Sequence, residues 1–335
     1  MKSRYLDISS QTEQLINESL MWDNHACMPL RADDTSFLPQ LQQFGDAGVD
    51  IVSLNVGFDA VAWDNTPLML ASFRDWIKQH SDDYILVDNI AAIQKAKAEG
   101  KLGITFDIEG ACALNGQLDM IEKYYELGVR WMLMAYNQNN AVGGGCQDND
   151  RGLTEFGREV LDEMTRTGMV ICCSHTGFKT TMEVMEYVNQ PVIFSHSNPS
   201  SMCKHKRNIK DEAIKACAET GGVIGLNGIG IFLGNNDASV ENIVKHIDYV
   251  VQLVGPDHVG IGLDYVFDQQ EVTDFVKDNP QIFPPEDGYA DGIDMLAPAA
   301  FPAIVQSLLD LGYVDEDVKK IMGANHLRIA THVWK

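Results

Sequence analysis

The residues of this sequence that are best suited to chemistry are histidines and carboxylates that follow short apolar runs. Imidazole and carboxylate are ligands that suit Zn²⁺ or a similar borderline metal. A lone histidine in such a position more often has a structural role. Three imidazoles and two carboxylates brought to one place would be a costly concentration of buried polar groups unless a cation neutralised them. The five segments are Asp23-Asn24-His25-Ala26-Cys27, Phe106-Asp107-Ile108-Glu109-Gly110, Ser174-His175, Ser195-His196 and Leu263-Asp264.

Predicted β-strands position these five segments. Runs rich in Val, Ile and Leu recur along the chain, each followed by a polar or glycine-containing corner and then by helical periodicity, which is the pattern of repeated βα units. The pattern predicts eight strands, at Leu20–Asn24, Asp50–Val56, Gly103–Asp107, Arg130–Ala135, Met169–Cys173, Val192–Ser195, Val223–Asn227 and Val259–Leu263. Helices are predicted at Leu118–Leu127, Glu155–Thr167, Thr180–Val188, Asp211–Glu219 and Ile243–Val254.

Alternation of strands and helices implies a parallel sheet, either open and doubly wound or closed into a barrel. No G-x-G-x-x-G motif follows the first strand, and polar residues at five strand ends favour closure. We therefore predict a (β/α)8 TIM barrel in which residues 1–335 form a single domain. Residues 268–298 are rich in acidic residues and proline, lack a strong period, and are predicted to form a long loop over the barrel mouth as a lid or specificity element. The chain from Leu308 onward is predicted to be helical.

Composition and charge exclude several classes of protein. Of the 335 residues, 45% are hydrophobic and 22% are charged, as in ordinary globular proteins with a large core. The formal net charge of -23 would repel phosphate backbones and anionic headgroups, so neither nucleic acid nor a membrane surface is an expected partner. The sequence lacks the apolar stretch of a secretory signal and any apolar run long enough to span a bilayer. The seven cysteines do not follow a disulfide-framework spacing and predict a reducing cytoplasm.

Further short motifs lie between Asp23 and Arg328. The set comprises Glu109-Gly110, Ser174-His175, Phe194-Ser195-His196-Ser197, Arg207-Asn208, Gly221-Gly222-Val223, Gly260-Ile261-Gly262-Leu263-Asp264 and Gly323-Ala324-Asn325-His326-Leu327-Arg328. No single motif is specific, but together they resemble the membrane dipeptidase family of zinc peptidases. The resemblance covers nearly the whole chain and implies a barrel of the metal-dependent amidohydrolase type.

The resemblance also implies a set of metal ligands. His25 and the position of Cys27 would hold one zinc ion, and His175 with His196 would hold a second. Glu109 would bridge the two ions. The family pattern after the first strand is His-x-Asp, whereas this chain has His25-Ala26-Cys27. A thiolate also binds zinc, so Cys27 is either a ligand in place of the aspartate or a small buried residue, and one or two ions are expected accordingly.

Three further residues receive roles from the resemblance. Asp264 would act as the base on the attacking water, and Arg207 would pair with the substrate's carboxylate through its planar guanidinium. Without the resemblance, a surface ion pair explains Arg207 equally well. Tyr136 stands where the family has a histidine that touches the substrate carbonyl. A phenol can donate a hydrogen bond to a developing oxyanion, and Tyr136 is therefore a predicted catalytic and substrate-binding residue.

These inferences predict a zinc-dependent hydrolase that cleaves the amide bond of a small carboxylate-bearing substrate, most simply a dipeptide. One alternative is another amidohydrolase reaction, on an N-acyl amino acid, a cyclic amide or a lactone, because fold alone does not separate these reactions. The other is a metal-poor relative that binds a ligand without turning it over, for which Cys27 and Tyr136 are the reason. The tail from Thr331 to Lys335 would pack either across a homodimer or, through Trp334, on its own barrel.

Overall fold

The computed structural model, which describes residues 8–335, contains a closed barrel of parallel strands. The ten strands are β1 Trp22–Cys27, β2 Ile51–Phe58, β3 Tyr84–Leu86, β4 Leu102–Glu109, β5 Val129–Leu133, β6 Val170–Cys172, β7 Val192–Phe194, β8 Val223–Leu226, β9 Val259–Ile261 and β10 Tyr265–Val266. Strand β1 pairs with both β2 and β9, which closes a ring of eight. These eight correspond to the predicted strands, so the (β/α)8 prediction is confirmed. The additional β3 and β10 pair with β4 and β1 respectively.

Strand β4 illustrates how alternation along a strand places polar groups inside the barrel. Ile104, Phe106 and Ile108 belong to the main hydrophobic core. The alternate residues point to the opposite face, and there the Asp107 carboxylate accepts a hydrogen bond from Ser53 Oγ at 2.6 Å. Glu109 is the last residue of the strand and reaches the same interior at its carboxyl end.

The helices surround this barrel. They are α1 Ser10–Glu18, α2 Gln42–Asp46, α3 Asn65–Gln79, α4 Ile90–Glu99, α5 Asp119–Glu126, α6 Glu155–Thr167, α7 Phe178–Tyr187, α8 Asp211–Glu219, α9 Gly230–Leu233, α10 Val240–Val254, α11 Gln269–Asp278, α12 Phe301–Asp310, α13 Asp315–Lys319 and α14 Asn325–Val333. Helices α6 and α8 have the predicted bounds. Within residues 8–335 we find no helix that is long and apolar enough to cross a bilayer.

Helix α6 shows why the sequence predicts these bounds well. The Thr154 hydroxyl caps its first turn by accepting a hydrogen bond from the Gly157 amide at 2.9 Å. Gly168 ends the helix in the left-handed conformation, with φ of 88°. Between the two caps, Val160, Leu161 and Met164 recur at helical spacing and are buried.

Helix α14 closes the end of the barrel opposite the polar strand ends. Its residues Ile329 and Val333 pack against Trp131 and neighbouring apolar side chains. Trp334 follows the helix, and its ring centroid lies 6.1 Å from that of Trp22 in β1. The tail therefore packs on its own barrel. The predicted site residues lie at the other end of the barrel, where the carboxyl ends of the strands meet.

The prediction of a long loop at residues 268–298 is wrong in part, because the segment contains α11 and two short 3-10 turns, at Pro285–Asp287 and Tyr289–Asp291. The Asp268 carboxylate caps α11 by accepting a hydrogen bond from the Glu271 amide at 3.0 Å. Val272, Phe275 and Val276 form its apolar face, and they line a cavity at the barrel mouth. Residues of this segment thus line the same cavity as Glu109 and Asp264, and its role as a lid or specificity element stays a prediction.

Candidate metal centre and active site

Three histidines converge on a single carboxylate oxygen at the carboxyl ends of the strands. The Oε1 atom of Glu109 lies 3.4 Å from Nε2 of His25, 3.4 Å from Nε2 of His175 and 3.2 Å from Nε2 of His196. His25 belongs to β1, Glu109 ends β4, and the other two histidines follow β6 and β7. All four side chains are buried. The structure thus brings together side chains that are far apart in sequence.

Each imidazole has a second contact that fixes which nitrogen faces Glu109. Nδ1 of His25 lies 3.3 Å from the Asp107 carboxylate, and Nδ1 of His175 lies 2.7 Å from Oδ1 of Asn137. Nδ1 of His196 lies 2.8 Å from Oγ of Ser195, which donates its own hydrogen bond to Ser174. Each partner can accept a hydrogen bond from a protonated Nδ1. In that tautomer the Nε2 lone pair is directed into the site. This is how protein sites orient histidines that ligate metals.

The residues present fit a cation. Nε2 of His175 and Nε2 of His196 lie 2.9 Å apart; with the protons on both Nδ1 atoms, the two Nε2 lone pairs repel each other unless a positive charge lies beside them. Oε1 of Glu109 is buried without a hydrogen-bond donor among the described residues, which costs free energy unless another group compensates it. Two sets of ligand atoms lie within 4.8 Å of one another, one from His25, Glu109 and His196 and one from His25, Cys27 and Asp264.

Burial and neighbouring charges shift the pKa values of these groups. Burial raises the pKa of Glu109 to about 8. Burial, with the positive charges of Arg207 and His25, holds the pKa values of His175 and His196 well below the usual range, so both imidazoles are neutral near pH 7. For His25, burial alone would lower the pKa, but the neighbouring acids, chiefly Glu109, raise it well above its usual value. A bound cation would replace the proton on His25.

Cys27 and Asp264 lie beside His25. Sγ of Cys27 is 3.4 Å from Nε2 of His25 and 3.9 Å from Oδ1 of Asp264. Burial raises the pKa of the Cys27 thiol to about 12. Asp264 follows β9 in the left-handed conformation, with φ of 61°, and its Oδ2 accepts a hydrogen bond from Asn227 at 2.9 Å. That contact leaves Oδ1 of Asp264 directed at the histidine and the thiol.

Tyr136 follows β5 and covers one face of the site. Its ring stacks on His175, with 4.0 Å between centroids and 21° between planes. Burial, followed by the negative charges of Glu109 and Asp264, raises the pKa of the phenol well above its usual value. The phenol is therefore a protonated hydrogen-bond donor at every ordinary pH.

Arg207 is a buried guanidinium at the edge of the site. It donates hydrogen bonds to Oγ of Ser197 at 3.0 Å and to the carbonyl oxygen of His196 at 2.6 Å. Its Nε is buried without a partner. Within the described part of the chain, no carboxylate forms an ion pair with it, which excludes the surface ion pair that the sequence left open. A buried guanidinium without a carboxylate partner is suited to bind the anionic group of a ligand.

Two cavities meet at His175. The first, which we call the apolar chamber, has a volume of about 250 Å³ and contains Glu109, Asp264 and Cys27 behind walls of aromatic and aliphatic side chains. The second, the polar cavity, has a volume of about 330 Å³ and is lined by Arg207, Asn208 and other polar residues. A substrate that spans both cavities would place a central bond beside the histidines.

Sequence reasoning missed the residues that hold the predicted site residues in place. Asp107 and Ser195 support His25 and His196, and their positions one or two residues before a predicted ligand are a usable signal. Asn137 directly follows Tyr136, and Asn227 ends a predicted strand, but an amide beside a site does not by itself indicate which ligand it supports. Asp59 accepts hydrogen bonds from the backbone amides of Cys112 at 2.8 Å and Tyr136 at 3.1 Å, and so ties the segments after β4 and β5 together.

Comparison with known proteins places the chain among peptidases. The sequence model of the membrane dipeptidase family, peptidase family M19, matches residues 59–281. An uncharacterized dipeptidase of Schizosaccharomyces pombe is 28% identical in an alignment of 274 residues that covers 78% of this chain and 60% of that protein. The chain thus spans less than two thirds of that relative's length.

Solved structures share the fold over almost their entire length. An amidohydrolase from Pseudomonas aeruginosa is 30% identical with a TM-score of 0.86, and the alignment covers 96% of this chain and 99% of that one. A metallopeptidase from Rhodobacter sphaeroides, liganded with a phosphinate mimic of the dipeptide L-Ala-D-Ala, is 20% identical with a TM-score of 0.74, over 95% of this chain and 100% of that one.

Proposed function

The chain belongs to the membrane dipeptidase family, peptidase family M19, and from this premise we propose that it is a metal-dependent dipeptidase. It hydrolyses the amide bond of a small substrate that carries a free carboxylate. The observation that carries this proposal is the convergence of three imidazole Nε2 atoms on the buried Oε1 of Glu109, which has no donor among the described residues. A phosphinate dipeptide mimic in a related fold supports the same substrate class.

The metal is Zn²⁺ in this proposal, at one or two ions per chain. His25 and Cys27 would hold one ion, His175 and His196 the other, and Glu109 would bridge them. Nitrogen, sulfur and carboxylate oxygen are all accepted ligands of zinc. When bound, the metal supplies a lowered pKa for the attacking water and a polarised scissile carbonyl.

Asp264 is the general acid–base group. Asn227 holds its Oδ2, and its Oδ1 is free to accept the proton of the attacking water and then to deliver it to the leaving amine. The protonated phenol of Tyr136 donates a hydrogen bond to the oxygen on which negative charge develops. Arg207 binds the substrate's carboxylate in the polar cavity, because its guanidinium has no ionic partner of its own there.

The test uses protein loaded with zinc and a panel of matched substrates. Dipeptides, N-acetyl amino acids, a cyclic amide and a lactone are compared for wild type and Asp264→Asn. We expect wild type to hydrolyse the free dipeptides and Asp264→Asn to lose this activity while its metal content is unchanged. After chelation and reloading with zinc, only wild type should recover activity.

Other outcomes would point elsewhere. Turnover confined to acetylated amino acids, cyclic amides or lactones would assign a different amidohydrolase reaction to the same site. Less than one ion per chain, with a folded protein and no turnover of any substrate, would indicate a ligand-binding relative. Unchanged turnover in Asp264→Asn would remove Asp264 from the chemistry.

A cytoplasmic location is part of the proposal. All seven cysteines lie in the described part of the chain and are free, which supports a reducing compartment. A homodimer and the treatment of residues 1–335 as one domain stay predictions.

A further inference from the structure

The apolar chamber has walls of aromatic rings that contact one another at their edges. The rings of Phe58 and Phe275 are T-shaped, with centroids 5.5 Å apart. The ring centroid of Phe283 lies 6.0 Å from that of Phe275 and 5.4 Å from that of Tyr289. Both pairs are T-shaped, with interplanar angles of 74° and 70°. Edge-to-face contacts of this kind are favourable beyond the burial of area. The rings therefore form a rigid wall rather than a layer that would collapse into the cavity.

Most of this wall comes from the segment that crosses the barrel mouth. Val272, Phe275 and Val276 stand at spacings of three and four residues on α11 and line the chamber. On the same helix Gln270, Asp274 and Lys277 are exposed. An amphipathic helix normally buries its apolar face against a core. Here part of that face borders a cavity that also contains Glu109 and Asp264.

Charge in the chamber disfavours an acidic ligand. Its described lining includes no lysine or arginine. Asp268 and Glu271 also line it, and both form ion pairs with Arg31, whose guanidinium nitrogens approach them to 3.7 Å and 2.7 Å. Glu109 and Asp264 lie inside, at the proposed metal site. A negatively charged side chain would therefore lose its hydration without a lysine or arginine to pair with, whereas an apolar side chain would be favourably removed from water.

The two cavities fix which half of a dipeptide enters the chamber. This step rests on the proposed function, in which Arg207 binds the terminal carboxylate in the polar cavity. The residue that bears the carboxylate then lies on the Arg207 side of His175. The scissile carbonyl lies beside the histidines, and the N-terminal residue lies on the other side.

We propose that the apolar chamber receives the side chain of the substrate's N-terminal residue and selects a large apolar side chain, such as that of leucine or phenylalanine. Alanine in this position leaves much of the aromatic wall exposed, and glutamate would be buried without a lysine or arginine partner. Burial of a large apolar side chain strengthens binding by roughly tenfold to 100-fold. Phe275 and Val272 are the specificity-determining residues of α11 in this proposal.

The experiment measures kcat/KM of the zinc-loaded protein for Phe-Gly, Leu-Gly, Ala-Gly and Glu-Gly, which differ only in the N-terminal residue. We expect Phe-Gly and Leu-Gly to exceed Ala-Gly by roughly tenfold or more, and Glu-Gly to be the poorest substrate. Val272→Trp fills the chamber and Phe275→Ala removes part of its wall. Both should lower the ratio of Phe-Gly to Ala-Gly by roughly tenfold.

Matched controls separate specificity from folding. Tyr187→Ala removes an exposed aromatic residue on α7 that does not line either cavity, and it should leave all four values unchanged. Phe275→Leu retains an apolar wall and should restore most of the preference if Phe275→Ala folds poorly. Turnover of all four dipeptides with no preference for large side chains, or with the opposite preference, would overturn this inference and leave the proposed function intact. Absence of turnover with any dipeptide would overturn the proposed function itself.

Discussion

Oδ1 of Asn137 lies 2.7 Å from Nδ1 of His175, and this contact decides which nitrogen of the imidazole faces Glu109. Asn137 donates its amide to the carbonyl oxygen of Ile282, which fixes the orientation of the amide group. The backbone of Asn137 is left-handed, with φ of 57°, a conformation that asparagine adopts more readily than most residues. The residue that contacts Nδ1 of His175, a predicted metal ligand, therefore has a left-handed backbone conformation.

Replacement of Asn137 by glycine should weaken metal binding. Glycine tolerates the left-handed backbone, so the variant removes the hydrogen bond to His175 without adding backbone strain. The expected loss of metal affinity is roughly tenfold to 100-fold, as for other residues that orient a metal ligand. Competition with a chromogenic chelator measures it. Asn137→Asp keeps an acceptor and should bind metal more tightly than Asn137→Gly; equal affinities in the two variants would mean that the contact does not orient His175.

Replacement of Cys27 tests whether its thiol is a ligand. Since burial raises the pKa of this thiol to about 12, metal binding must displace a proton from it at neutral pH. Cys27→Ala should therefore bind one ion fewer and release fewer protons on loading, as measured by elemental analysis and by titration in weak buffer. Cys27→Asp restores an anionic ligand and should restore the stoichiometry. The same metal content in wild type and Cys27→Ala would make Cys27 a buried residue without a metal role.

Replacement of Arg207 should affect substrates only through their carboxylate. Arg207→Lys retains the charge but loses the planar pair of donors. We expect kcat/KM for a dipeptide to fall roughly tenfold to 100-fold, mainly through KM. The corresponding dipeptide amide lacks the carboxylate, and its kcat/KM should differ little between wild type and variant. Equal losses on both substrates, or a lower metal content, would assign Arg207 to the support of His196, whose carbonyl oxygen it contacts.

Buried His246 on α10 should make the protein less stable in acid. Burial lowers its pKa to about 4 from an ordinary 6.5, and its Nε2 donates to the carbonyl oxygen of Leu233 at 3.1 Å. Between these two pH values the unfolded chain binds a proton that the folded chain does not, so the free energy of unfolding decreases as the pH falls from 6.5 towards 4. One such proton contributes a slope of about 1.4 kcal/mol per pH unit.

Urea unfolding at several pH values measures this slope. His246→Gln keeps an amide that can donate to Leu233 and should reduce the slope between pH 4 and 6.5 by up to about 1.4 kcal/mol per pH unit. His332→Gln, at an exposed position on α14, is the matched control. An identical slope in wild type and His246→Gln would contradict the prediction.

The barrel could be predicted because each of its strands is an apolar run followed by a corner and a helix. The sequence analysis did not predict β3 and β10, of three and two residues, which lie outside the closed ring of eight strands. Helix α11 was missed because its apolar residues, such as Val272 and Phe275, are separated by acidic and polar ones. Its capping residue Asp268 is one of many aspartates in that segment. The resemblance to the membrane dipeptidase family is confirmed by the match over residues 59–281.

The sequence by itself determined the fold class and the family, and it identified the candidate metal-binding residues. Strand periodicity is local, and in a parallel barrel every strand end meets at one mouth, so His25, Glu109 and His196 could be grouped without coordinates. Only the tertiary structure decided how these groups are oriented and what surrounds them. Contacts between segments distant in sequence place Asn137 beside His175 and build the aromatic wall of the apolar chamber. They also leave Arg207 without an ionic partner among the described residues. Such contacts are set by side-chain packing across the barrel mouth, and no local pattern encodes them.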